Sequence, residues 1–134
     1  MGTAEVVMTR DHYAGVPASE IIAFAELMNG LELQHVEMFG DSINSAIVTN
    51  VKAADLKGRP VSIRGLARVI GLQPSTIRRR IAALVADGWL MQDETGVHFP
   101  EQARERGAPF ARAAMLRFAV TLSQLGWGDF RPPS

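Results

Sequence analysis

Eight of the fourteen basic side chains in this 134-residue sequence fall between residues 52 and 80. They are Lys52, Lys57, Arg59, Arg64, Arg68, Arg78, Arg79 and Arg80, and they share that stretch with a single carboxylate, Asp55, for a net +7. An ordinary solvated face interleaves such charges with acids at salt-bridge spacing, and here the acids are missing. Guanidinium offers a planar fork of N–H donors that fits phosphate oxygens and the acceptor edge of guanine. Ser75 and Thr76 place hydroxyls just ahead of the arginine run. Residues 1–51 carry −6 and residues 81–134 carry −1, so the formal charge of zero conceals one cationic block. Such a chain would approach DNA in a preferred orientation, its acidic end held away from the phosphates.

Other chemistry is sparse. The absence of cysteine excludes disulfides and thiolate metal sites. His12, His35 and His98 are scattered, and Glu32 with His35 at i, i+3 reads as a solvated helix contact ahead of a metal pair. No glycine-rich phosphate loop, activated nucleophile or paired carboxylates in an apolar frame stand out, so no catalytic residue, metal or cofactor is expected and the chain reads as a binding protein, not an enzyme. No apolar run approaches the roughly 18 residues needed to span a bilayer. The first ten residues do not form a signal peptide, and a cytoplasmic protein without membrane contact is expected.

The elements that position the cationic block follow from local pattern. Ile77, Ile81 and Leu84 fall at i, i+4, i+7, the core face of a helix opening at Pro74 and ending near Asp87. At roughly 100° per residue, Arg79 and Ser75 point away from that face, with Thr76 and Arg78 on its flanks. Upstream, Ser62 is a plausible N-cap for a helix through Ile70, with Arg64 and Arg68 outward and Gly71 as its stop. A turn as short as Gly71-Leu72-Gln73 makes the two helices cross steeply, so the second projects. Gly88 ends it. Trp89-Leu90-Met91 and Val97-His98-Phe99 read as two strands around Asp93-Glu94-Thr95-Gly96, and Val61, after Pro60, could pair with them as a third.

Helix, turn, basic helix and hairpin in this order resemble the winged helix-turn-helix domains of bacterial transcriptional regulators. The residues carrying the likeness run from Ser62 to Leu72 and from Pro74 to Ile81, with Leu84, Gly88, Trp89 and Leu90, about a third of the chain. Among them are a small residue at Ala67, glycine in the turn, Ser75-Thr76 before an apolar position, and glycine before the hairpin. The resemblance implies a mainly α fold with a small β-hairpin wing and a recognition helix, 74–87, in the major groove.

The flanks read as helices. Pro17-Ala18-Ser19-Glu20 starts one, apolar nearly all round through Met28, which Asn29-Gly30 ends or kinks. Residues 31–57 carry apolar positions at spacings of three and four, interrupted at Gly40-Asp41-Ser42, consistent with one kinked helix or two. After the hairpin, residues 100–106 read as a charged turn or short helix. Gly107-Ala108-Pro109 then restarts the chain into a last helix bearing Phe110, Ala114, Phe118, Leu122 and Leu125 on one face, stopped by Gly126-Trp127-Gly128. The first sixteen residues and the last five are expected to be a loose arm and a surface tail. The whole is expected to form one domain: arm and helices over 1–57, winged helix-turn-helix over 58–100, and C-terminal helix over 101–134. Apolar breadth in the first and last helices exceeds what one small domain covers, and a second subunit is the expected cover. That layout resembles the MarR-type arrangement of interlocked terminal helices, so a homodimer is implied.

Roles then separate. Arg79, aided by Ser75 and Thr76, is expected to read base edges; Lys57, Arg59, Arg64, Arg68, Arg78 and Arg80 are expected to reach phosphates. Arg80 lies close to the core face, where a carboxylate of its own chain is an alternative partner. The wing departs from many winged regulators in carrying Asp93-Glu94 at its tip instead of a cation, which turns it away from phosphate. Trp89 and Trp127, each after a glycine, read as core plugs ahead of walls for an aromatic effector, so a small-molecule effector stays open. Besides a regulator, a replication or partition factor or a protein-docking adaptor could use the same motif.

Overall fold

The computed structural model describes residues 12, 13 and 15–128. A two-residue ladder, β1 (His12–Tyr13) with β2 (Val16–Pro17), precedes helices α1 (Ala18–Phe39) and α2 (Ser42–Leu56). Then come α3 (Ile63–Ile70), α4 (Pro74–Ala86), the hairpin β3 (Met91–Asp93) and β4 (Gly96–His98), and α5 (Glu101–Gln124). The fold is mainly α with a small hairpin, a winged helix-turn-helix. The expected tail at 130–134 and the expected arm, apart from its last residues, lie outside the described residues. No helix among the described residues is long and apolar enough to cross a membrane.

The chain gathers into two compact units, one made of the chain through Glu32 with that from Phe110 onward, the other Leu33–Pro109. In the second unit α2 is the hub, packing on α3, α4 and β4. Its Ile47, Val48 and Val51 are fully buried with Leu66 of α3, Ile77 and Ile81 of α4, and Val97 of β4. Each such side chain contributes roughly 1.5–3 kcal/mol when removed from water. Trp89 closes this core, edge-on to Phe39 at 4.9 Å and stacked on Phe99 at 6.5 Å, with the Arg106 guanidinium 4.0 Å above its ring. In the first unit Leu27 and Ala119 are buried, while Ile22, Phe24, Met28, Met115, Leu116, Phe118 and Val120 keep large parts of their apolar surface exposed.

Several boundaries differ from the sequence pattern. Helix α1 runs unbroken through Asn29-Gly30 and stops only at Gly40, where Asp41 caps a separate α2 by accepting from the Asn44 N–H at 2.8 Å. The guanidinium of Arg117, at the end of a flexible side chain, lies where a Cβ on Gly30 would be. Pro109 likewise sits inside one continuous α5 that begins at Glu101, so residues 100–106 are its first turns and not a separate element. The hairpin strands lie nearer the tip than Trp89-Leu90 and Phe99 suggest. The Trp89 and Leu90 amides are used by the end of α4, both donating to the Leu84 carbonyl, at 2.9 and 3.3 Å. Val61 makes a single antiparallel bridge to Val97, not a strand. Trp127, unlike Trp89, is no plug: it is 52% exposed.

Candidate nucleic-acid interface

The helix-turn-helix is built as its residues dictate. Ser62 Oγ accepts the Gly65 N–H at 3.0 Å to open α3, and Gly71, at φ +82°, ends it by donating to the Ala67 carbonyl at 2.8 Å. Gln73 and Pro74 then start α4 with no side-chain cap, Pro74 supplying a fixed φ where no N–H is required. Ile77, Ile81 and Leu84 are the buried face of α4, which fixes the opposite face by geometry: Ser75 and Arg79 are exposed there, with Arg78 exposed and Thr76 half-buried on the flanks.

Of the cations expected to reach DNA, Lys57, Arg59, Arg64, Arg68, Arg78 and Arg79 are all solvent-exposed. Among the described residues none of the six has a carboxylate at ion-pair distance. Arg80 is different. Its guanidinium bonds Asp41 Oδ2 at 2.5 Å and Asn44 Oδ1 at 3.2 Å, fastening α4 to the start of α2. The Asn44 amide first, and then Arg80, hold the Asp41 carboxyl below its usual range. Arg80 is thus engaged on its own chain, the alternative its place near the core face allowed. Lys52 also leaves the cationic surface: it lies 5.1 Å over the Phe99 ring, and burial lowers its pKa.

The one acid of the block is turned to structural use. Asp55 accepts the Phe99 N–H at 3.0 Å, faces His98 Nδ1 at 3.0 Å and lies 3.6 Å from Arg104. Burial alone would raise its pKa, but these donors outweigh it and the carboxyl is lowered. On the wing, Asp93 Oδ1 accepts from the Thr95 hydroxyl at 2.6 Å and the Thr95 amide at 2.8 Å, and faces His98 Nε2 at 3.1 Å. Those bonds hold Asp93 down to about 2. The tip therefore presents less free negative charge than Asp93-Glu94 suggests, because His98 sits against one of the two acids. Asp93 and His98 are five residues apart across the hairpin, whereas Asp55, which faces the other ring nitrogen, is 43 residues away and gives no sign in the sequence.

The glycine at the base of β4 holds the wing in place. Gly96 has φ +139°, and a Cβ on it would lie 2.8 Å from the Val61 carbonyl oxygen, the acceptor of the Val97 N–H at 3.0 Å. At the other end of α4, Arg106 caps the Asp87 carbonyl at 2.7 Å. Helix, turn and wing are thus each anchored to the body, leaving the Ser75 and Arg79 face of α4 uncovered within this unit.

Residues 56–91 match the family of winged helix-turn-helix DNA-binding domains, a stretch that takes in α3, α4 and the first residue of the wing. No match is found among curated proteins or among solved structures.

Proposed function

We propose that the chain binds double-stranded DNA as a homodimeric bacterial transcriptional regulator of MarR-like layout, with α4 in the major groove. The observation that carries this is the set of six exposed cations that have no acid partner among the described residues, around α3 and α4, in the segment that matches the winged helix-turn-helix family. Arg79, with Ser75 and Thr76, reads base edges, because it stands opposite the Ile77, Ile81 and Leu84 face. Lys57, Arg59, Arg64, Arg68 and Arg78 contact phosphates and set register. The exposed apolar side chains of α1 and α5 support the dimer, in which two α4 helices would sit about 34 Å apart on an inverted repeat.

Five phosphate-binding cations per protomer make about ten for a dimer, within the range where affinity falls about 10³ to 10⁵-fold between 50 and 200 mM salt. Fluorescence anisotropy with a random duplex across that series is the test. A steep linear log–log dependence is expected; a flat one, or no duplex binding at low salt, overturns the reading in favour of a protein-docking role.

A further inference from the structure

We propose that His98 is a proton-operated clamp between the wing and α2: doubly protonated, it ties Asp93 of the hairpin to Asp55 of the helix, and loss of one proton frees the wing tip. His98 Nδ1 faces Asp55 Oδ1 at 3.0 Å, while Nε2 faces Asp93 Oδ1 at 3.1 Å and Thr95 Oγ1 at 2.7 Å. Both nitrogens face carboxylate oxygens, and only imidazolium donates from both. Neutral imidazole keeps one N–H and turns a lone pair toward the other acid.

The two sides are unequal, which decides where the clamp opens. Asp55 is 14% exposed and is fixed by the Phe99 amide and Arg104 from α5; Asp93 is 37% exposed on a short hairpin. The remaining proton therefore stays on Nδ1, toward Asp55. Nε2 then meets Asp93 with a lone pair, and the Thr95 hydroxyl must choose between donating to Nε2 and to Asp93 Oδ1, its present partner. Either choice costs the tip one bond. The charged groups around the ring are Asp55 from α2, Asp93 from β3 and, acting through Asp55, Arg104; Lys52 of α2 is occupied on Phe99, and Glu94 is exposed in the turn.

The window follows from the shifts. His98 is raised above 6.5, by Asp55 first and against the opposing effect of burial, so the clamp is complete below about 6.5 and is lost as pH rises through the raised value. The two acids are lowered below 3.8, so both are ionised throughout the range in which His98 titrates. The consequence for DNA rests on the function proposed above: opening leaves the Asp93 charge uncompensated and removes a positive charge from the same unit as the cationic face, so duplex affinity falls with rising pH.

The test uses the full chain with labelled histidines and amides, followed by NMR between pH 5.5 and 9. The expected result is that His98 titrates above 6.5 and that protection of the Thr95 amide against hydrogen exchange falls through the same midpoint, by roughly tenfold, as for loss of a hydrogen bond to a charged group. In Asp93→Asn the His98 midpoint should drop, and in His98→Gln Thr95 protection should be flat with pH. A His98 midpoint unmoved by Asp93→Asn, or Thr95 protection unchanged across the titration, overturns the clamp. Duplex binding at pH 6 and 8.5, by wild type and His98→Gln, is the separate arm. With the NMR result as expected, a pH dependence of binding confined to wild type supports the clamp's control of the interface, and equal dependence in both overturns that control. If the NMR signature appears and no duplex binds at either pH, the clamp stands and the DNA reading fails.

Discussion

The pair of Arg80 and Asp41 offers a sharp test of how the recognition helix is held. A hydrogen bond between charged groups contributes about 1.5–3 kcal/mol when shielded. Here the Asp41 side chain is 47% exposed and Arg80 26%, so solvent screening brings the pair toward the surface range of about 0–1 kcal/mol. Among the described residues Arg80 Nε is buried without a hydrogen-bond partner, a further cost of placing the guanidinium there. The coupling should be about 1 kcal/mol or less. Asp41→Asn removes the charge and keeps a competent N-cap, whereas Asp41→Ala also loses the bond to the Asn44 amide and should cost about 1 kcal/mol more. Arg80→Met keeps the stem that packs beside α2 and removes the guanidinium. Urea unfolding of wild type, both single variants and the double variant gives the coupling at pH 7 and pH 2.5. Asp41 is lowered below 3.8 in the folded chain, so its contribution is complete above 3.8 and is lost as pH falls through the lowered value. Coupling should therefore shrink in acid. Coupling that does not shrink as Asp41 becomes protonated refutes the ion pair as a holder of α4. Arg80→Met should also leave the salt slope of duplex binding intact; a slope reduced as much as by Arg78→Ala would show that Arg80 leaves Asp41 for phosphate.

Gly96→Ala should destabilise by about 1–3 kcal/mol, since it pays for a positive φ and a Cβ driven against the Val61 carbonyl; Gly58→Ala, at φ +71° with open space, should cost only the backbone strain of about 1–2 kcal/mol. Urea midpoints of the two variants compare them directly, and equal losses would show that the close approach to Val61 adds nothing. The apolar faces of the first unit should make wild type sediment at twice the 14.6 kDa chain mass at micromolar concentration, and Phe24→Lys with Phe118→Lys should shift it to monomer while helical content is kept. A folded, soluble wild-type monomer would sink the dimer.

What could be read ahead of the structure was what short-range chemistry decides. Ser62, Gly71, Pro74 and Gly88 mark helix ends through caps and backbone freedom that depend on a few neighbours, and the i, i+4, i+7 face of α4 follows from helix geometry alone. Elements whose ends depend on distant partners were not legible. Gly30 looks like a stop because glycine is a poor helix former, yet α1 runs through it and Arg117, 87 residues later, lies against it. Pro109 costs one helical bond and was still retained inside α5. The hairpin register shifted because the α4 end took the Trp89 and Leu90 amides. Within the candidate interface, the exposed arginines were evident from charge and period, but Lys52 left the surface for Phe99 and Arg80 for Asp41. His98 read as an isolated histidine because the α2 packing that brings Asp55 against it is tertiary, and its approach to Asp93 depends on the hairpin register.

The measurement that bears most directly on the recognition helix compares Arg79→Ala with Arg68→Ala on a site selected from a random duplex pool and on random duplex, across a salt series. Arg79 stands opposite the buried face of α4, so a bidentate contact to guanine would give roughly 1–3 kcal/mol of discrimination, about five- to 150-fold in affinity ratio. Arg68 lies exposed on α3, and the proposed docking of α4 in the major groove assigns it to phosphate. The account predicts that Arg79→Ala weakens the selected site far more than random duplex at an almost unchanged salt slope. Arg68→Ala should weaken both alike and flatten the slope by about one counterion. Equal loss on both duplexes for Arg79→Ala would contradict it.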